Sequence, residues 1–258
     1  MTALRQYLAL SRRAITNTFR QPAAIVPTLV FPLIFMALSS AAFDRTISLP
    51  EFPPVESFLQ FLIATTIIQG ALFGSTPAGA DMAKDIEDGF FERLVASPVA
   101  RTSILVGRMA GVAVLSFIQA WLYFGVGSLF GLDVAGGLLA MLLVAVVAAV
   151  TGAGIGSLMM AFAIRSGSSE AVQGSFPLLF VLFFFSSAFF PLELMDGWFQ
   201  EVASANPLSS LIDGLRHQIV FGADAGQFLT ALSVAGGVFV VGVGLAGVAL
   251  RARLARGS

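Results

Sequence analysis

Cysteine is absent from the 258-residue chain, lysine and histidine occur once each, and only 29 positions carry a formal charge. Each scarcity removes a class of function. Without thiols there are no disulfides, no thiolate metal sites and no thiol redox chemistry, although the compartment stays open. His217 is the sole histidine, which rules out a multi-histidine metal centre, and beside Arg216 it reads as structural. Lys84, the sole lysine, sits in DMAKD (residues 81–85). That context lacks the glycine-rich phosphate cradle and the following hydroxyl residue of a P-loop, so any nucleotide hydrolysis has to come from a partner. There is no nucleophile-elbow serine and no pair of carboxylates within an apolar stretch. No catalytic residue, bound metal or nucleic-acid partner is therefore expected.

What the chain has instead is apolar length. Its charges leave six windows empty: residues 21–43, 57–80, 109–132, 134–164, 171–192 and 225–250. Each exceeds the roughly 18–20 apolar residues that a helix needs to cross about 30 Å of hydrocarbon. A charge at the centre of such a helix costs on the order of 2.5–3.5 kcal/mol on insertion scales, so six empty windows are hard to explain in water. Charged residues are 11% of the chain, about half the share in a soluble domain. The connections are too short for a soluble domain of ordinary size. The expected fold is an all-α integral membrane protein, a single domain over residues 1–258 with six transmembrane helices.

The net charge of −1 conceals a polarity. With six spans both termini share a face, and that face collects Arg5, Arg12, Arg13, Arg20, Lys84, Arg93, Arg101, Arg108, Arg165, Arg251, Arg253 and Arg256. The other face has only Arg45 and Arg216. The positive-inside rule makes both termini cytoplasmic in a multi-pass protein, here assigned to a bacterial plasma (inner) membrane. The acidic residues divide the other way, six inside and nine outside. The first window is expected to be retained, since the basic segment before it and its own length exceed those of a cleaved leader.

Residues 1–20 repeat Leu4, Leu8, Ile15 and Phe19 at helical spacing with arginines on other faces, which predicts an amphipathic helix in the inner interface. Pro22, Pro27 and Pro32 fall in the first span, where the last two each remove a backbone donor. TGAGIGS (residues 151–157) and the glycines at 236, 237, 242, 244 and 247 suit close helix packing within the chain. The outer connection 190–224 is too apolar for a solvated loop and too interrupted for a span. Two short re-entrant half-helices broken near Asn206-Pro207, with Trp198 in the headgroup belt, fit it.

The connection 81–108 is the richest in charge. Ile86, Phe90 and Leu94 recur every four residues on an otherwise charged helix. Ser97-Pro98 then interrupts the pattern. Two readings fit: a docking helix for a cytoplasmic partner, or a surface helix resting on the membrane. Asp85, Glu87 and Asp88 project from different faces of such a helix and do not compose a metal site.

GFFERLVASPVAR (residues 89–101) followed by LVGR (105–108) resembles permease subunits of the ABC-2 type export family, in its daunorubicin-resistance-like branch. FFPLELM (189–195) and ANPLS (205–209), leading into DGLR (213–216), resemble that family's second hallmark. Asp196-Gly197 departs from it, standing where many relatives carry a proline before the tryptophan-containing helix. The resemblance implies two permeases, as a homodimer or a paralogous heterodimer, and two ABC ATPase subunits that hold ATP and Mg, this chain binding no cofactor. It implies that a short helix near residues 85–95 couples the two, through Asp85, Glu87, Asp88, Gly89, Phe90, Phe91, Glu92, Arg93 and Leu94. It further implies that the first, second and fifth spans line the path, where Phe31, Phe35, Thr65, Thr66, Gln69, Ser186 and Ser187 would face the cargo. The polar members of that set equally suit hydrogen bonds between helices.

So few charges along the path favour an amphipathic, lipid-like or drug-like cargo leaving the cytoplasm. Two other classes compete. An ion-gradient-driven secondary transporter ordinarily keeps an intramembrane ionisable residue, and none lies in the six windows. A non-transporting membrane scaffold is the other.

Overall fold

A computed structural model describes residues 3–96 and 101–256, and the Ser97-Pro98 interruption lies outside them. The described residues are helical almost throughout and contain no strand. Among the described residues eleven α-helices run in order: α1 (Ala3–Phe19), α2 (Pro22–Phe43), α3 (Phe58–Glu87), α4 (Phe90–Ala96), α5 (Arg101–Leu129), α6 (Gly137–Ser166), α7 (Ser169–Gly174), α8 (Phe176–Phe184), α9 (Gly197–Ala205), α10 (Pro207–Val220) and α11 (Ala225–Arg256). Among the described residues, five apolar stretches are long enough to cross a membrane: Pro22–Ser48, Phe58–Glu87, Leu105–Leu129, Gly137–Ser166 and Ala225–Ala255. The charges mark where the apolar windows stop but not where the helices do. α3 continues through Asp81, Lys84 and Asp85, and α5 already begins at Arg101, so much of the expected loop 81–108 is the ends of two long helices; α11 likewise continues through Arg251 and Arg253.

α3 is the axis of the bundle. In its apolar stretch 94% of residues are buried within the chain, against 22% for α2 and 17% for α11. It packs against α2, α5, α6 and α10 at once, which is why its sequence from Phe58 to Ala80 is apolar or uncharged on every face. α6 fills the other half of the core. Its Gly152 and Gly156 face Ser116 and Val112 of α5, and its Gly154 faces α11. A β-carbon on Gly242 would stand 2.7 Å from the Gly154 carbonyl oxygen, so those two backbones touch. The expectation of packing within the chain holds at these positions.

The window 171–192 departs from expectation. It forms a shorter apolar helix over Ser169–Phe184, interrupted at Ser175, and then a run of turns. Pro177 near the start of α8 has no amide to donate back into α7, so the helix is not continuous there. At the far end the chain leaves the helix because another residue takes over its carbonyls. Asn206 Nδ2 donates to the carbonyls of Leu182 at 2.7 Å and Phe185 at 2.6 Å. Its Oδ1 accepts from the Leu208 amide at 2.9 Å, capping α10. One asparagine therefore ends α8 and starts α10, and α9 and α10 are the two short helices expected to break at Asn206-Pro207.

Candidate functional site

The helix ends assigned to one face by their arginines do meet at one end of the bundle. There Met82, Ile86, Phe91, Leu105, Ile164 and Val172 pack with Leu250 in an apolar cluster of their own. α3 stops because Gly89 takes φ +64°, a left-handed conformation that closes a helix and that glycine adopts without strain. The reversal shifts the register of the next helix. Phe91, not Phe90, is the buried aromatic, at 2% exposure, and the Ile86–Phe90–Leu94 repeat belongs to two helices and not one. The single helix expected over 85–95 is thus divided: Asp85 and Glu87 end α3, and a separate short helix, α4, begins at Phe90.

Five charged groups at this corner, Arg13, Asp81, Asp85, Glu87 and Glu92, each join a different pair of elements. Asp85 pairs with Arg108, tying α3 to α5. Glu87 accepts from the Ser169 amide at 2.6 Å and hydroxyl at 3.0 Å, holding the start of α7. Glu92 of α4 pairs with Arg253 of α11 at 3.0 Å, and Arg253 also donates to the Ile164 carbonyl of α6 at 3.4 Å. The Arg13 guanidinium of α1 lies 4.7 Å from the centre of the Phe90 ring. Asp81 accepts from Asn17 and from Gln21, both at 3.1 Å. Asp88 and Arg93 are exposed, Leu94 is half-buried, and Arg93 donates to the Gly89 carbonyl at 3.3 Å. Between α1, α3, α4 and α5 is a polar cavity of about 320 Å³ that Arg13, Lys84, Asp88 and Arg108 help to line.

Sequence reasoning missed Arg108, Arg13 and Arg253 as members of this corner. Their signal was present in the face count, which put them on the same side as the acidic cluster of α3.

The candidate path residues divide. Phe31 is exposed and Phe35 half-buried on α2. Their rings join Phe73, Phe180 and Phe189 in a continuous aromatic row, with centroids 5.2–6.2 Å apart. Thr65, Thr66 and Gln69 lie inside the chain on α3, Thr65 donating to the Ala188 carbonyl at 2.7 Å and Thr66 to the Leu62 carbonyl at 3.0 Å. Ser186 and Ser187 are buried too.

Ser187 leads to a network at the opposite end. Its hydroxyl donates to Asp213 at 2.8 Å, and Asp213 accepts from Arg216 at 2.6 Å. Arg216 also donates to the carbonyls of Phe61 at 3.2 Å and Ser187 at 3.0 Å, and its guanidinium covers the Phe61 ring at 3.7 Å. Burial pulls the Arg216 guanidinium down to about 10, opposed by the Asp213 carboxylate, so it stays charged at neutral pH. Burial raises the Asp213 carboxyl, opposed by Arg216 and Ser187.

Long apolar helices around a buried axis, with charge gathered at their ends, define a multi-pass membrane protein. Residues 40–248 match the ABC-2 family transporter protein family. Relatives include a doxorubicin resistance ABC transporter permease protein, DrrC, of Mycobacterium tuberculosis, 24% identical over 236 residues, 92% of this chain and 84% of the relative. A transport permease, ycf38, of Pyropia yezoensis is 31% identical over 224 residues, 83% of this chain and 74% of the relative. A daunorubicin resistance ABC transporter permease protein, DrrB1, of Streptomyces coeruleorubidus is 26% identical over 189 residues, 73% of this chain and 65% of the relative. The chain belongs to the ABC-2 family of transporter permeases, with the daunorubicin-resistance-like branch that its two motifs resemble.

Proposed function

We propose that this chain is the permease subunit of an ATP-driven exporter, a single transmembrane domain that pairs with a second permease and is driven by two ATPase subunits holding ATP and Mg. The observation that carries the reading is the position of α4. It exposes Glu92 and Arg93, while Glu92 and Phe90 connect it to α11 and α1 and the buried Phe91 seats it on the cluster beneath. A push on α4 therefore reaches the ends of the long helices without passing through a flexible loop. The coupling residues are Asp88 to Leu94, with Asp85 and Glu87 joining them to α5 and α7.

In this reading α7 and α8 together make the sixth crossing, α9 and α10 dip into the outer leaflet, and α1 lies in the inner interface. The path runs along the aromatic row of Phe31 and Phe35. The buried Thr65, Thr66, Gln69, Ser186 and Ser187 serve it by holding the helices behind that row. An aromatic row almost free of charge suits amphipathic, lipid-like or drug-like cargo, in keeping with the drug-resistance names of two relatives.

The reading places the protein in a bacterial inner membrane with both termini in the cytoplasm, and the absence of cysteine makes the test simple. Single substitutions Ser48→Cys, Ser166→Cys and Asp88→Cys put a thiol at exposed positions. Membrane-impermeant maleimide should label the first from outside and the other two only from inside. Co-expressed ATPase should slow labelling at position 88 and leave position 166 unchanged. The reversed pattern, or no protection at position 88, would contradict the topology or the docking site respectively.

A further inference from the structure

Proline at position 32 leaves the Thr28 carbonyl without the amide that would close its turn, because a helical carbonyl accepts from the residue four positions on. In this structure the missing donor comes from another helix. The Tyr123 hydroxyl of α5 donates to the Thr28 carbonyl at 3.1 Å. Its ring passes α3 at Gly70, where a β-carbon would stand 2.6 Å from Cε2 and 2.8 Å from the hydroxyl. One turn earlier on α5, Gln119 passes Gly74, where a β-carbon would stand 3.1 Å from Oε1, and Nε2 approaches the Thr28 hydroxyl at 3.5 Å. Two glycines a turn apart on α3 thus form a notch through which α5 reaches α2 beside Pro32.

α2 is otherwise loosely held, with 22% of its apolar stretch buried, and it carries the exposed Phe31 next to Pro32. α5 carries Arg108 near its other end, bound to Asp85 at the charged corner. We propose that Tyr123 is a positioning residue: its hydroxyl replaces the amide that Pro32 lacks and ties the α2 hinge to α5, so displacement of α5 is carried to the aromatic face of α2. The part of this that concerns transport rests on the permease reading; the latch itself does not.

Hydrogen exchange of α2 amides in the purified chain tests the latch. A hydrogen bond worth about 1 kcal/mol corresponds to roughly fivefold in an opening equilibrium, so Tyr123→Phe should speed exchange of the amides around Thr28 about fivefold. In a Pro32→Ala background the restored amide satisfies the carbonyl, and Tyr123→Phe should then change nothing. No acceleration, or equal acceleration in both backgrounds, overturns the latch. A Gly70→Ala variant, which displaces the ring and keeps the hydroxyl, should accelerate exchange as Tyr123→Phe does; unaltered exchange overturns the notch.

The coupling role is read in the complex with the ATPase. A single thiol at Val30→Cys, exposed on α2, should change its labelling rate when ATP is added, and Tyr123→Phe should abolish that change at an unaltered rate of ATP hydrolysis. A change that persists in Tyr123→Phe overturns the coupling role. No ATP-dependent change in the parent protein would contradict the permease reading, and the exchange comparison would still decide the latch.

Discussion

Asp213→Ala is expected to cost about 3 kcal/mol of stability, enough to lower the thermal midpoint of the detergent-solubilised chain by several degrees. The reason is the charge left behind. Arg216 is buried at 6% exposure and cannot neutralise at neutral pH, so without the carboxylate at 2.6 Å its guanidinium has only the Phe61 and Ser187 carbonyls and the Phe61 ring. Those contacts, and the partial exposure of Asp213, keep the loss at the lower end of the range for broken buried pairs. Arg216→Lys should also destabilise, because an ammonium cannot reach three acceptors in the plane that the guanidinium fork spans. Asp213→Asn, which keeps an acceptor, should lose less than either. Equal stability of Asp213→Ala and the parent chain would mean that the network does not join α10 to α3.

The second large effect belongs to α4. Substituting Phe90 and Glu92 together by alanine removes the Arg13 contact to α1 and the Arg253 pair to α11, and leaves the buried Phe91 in place. Each connection is modest in stability terms because both lie at the surface, so membrane insertion and folding should survive. Transmission through α4 depends on both. ATP-driven transport should fall about tenfold or more, as expected when two contacts that hold α4 to its neighbours within the chain, worth about 1 kcal/mol each, are lost. The control is Leu138→Ala, far from this corner and exposed, which should transport normally. Normal transport by the double variant would remove α4 from the mechanism.

Much of the helical framework was legible in where the charges are not. α2, α3, α5, α6 and α11 each contain most of one empty window, because an uncharged stretch of that length favours a helix that satisfies its own backbone. The window 171–192 looked the same and is not continuous. Pro177 marks its first interruption, but what ends it is Asn206, whose side chain takes carbonyls more than twenty residues away, and no local pattern announces that partner. The charged corner was legible as composition but not in register. The positive φ at Gly89 turns a four-residue repeat into two helices and exchanges the buried aromatic from Phe90 to Phe91.

The polar residues of α3 were legible as unusual for a span. Only packing shows that Thr65, Thr66 and Gln69 face neighbouring helices and not open space. Tyr123 carried no signal of its own. Its role emerges once Pro32 and Gly70 are seen to stand opposite it.

The most direct test of the central claim is movement of fluorescent amphiphiles, a labelled phospholipid among them, in proteoliposomes holding this chain and its ATPase. ATP should drive movement without any ion gradient, and a proton or sodium gradient without ATP should drive none. Movement that tracks the ion gradient and ignores ATP would contradict the account.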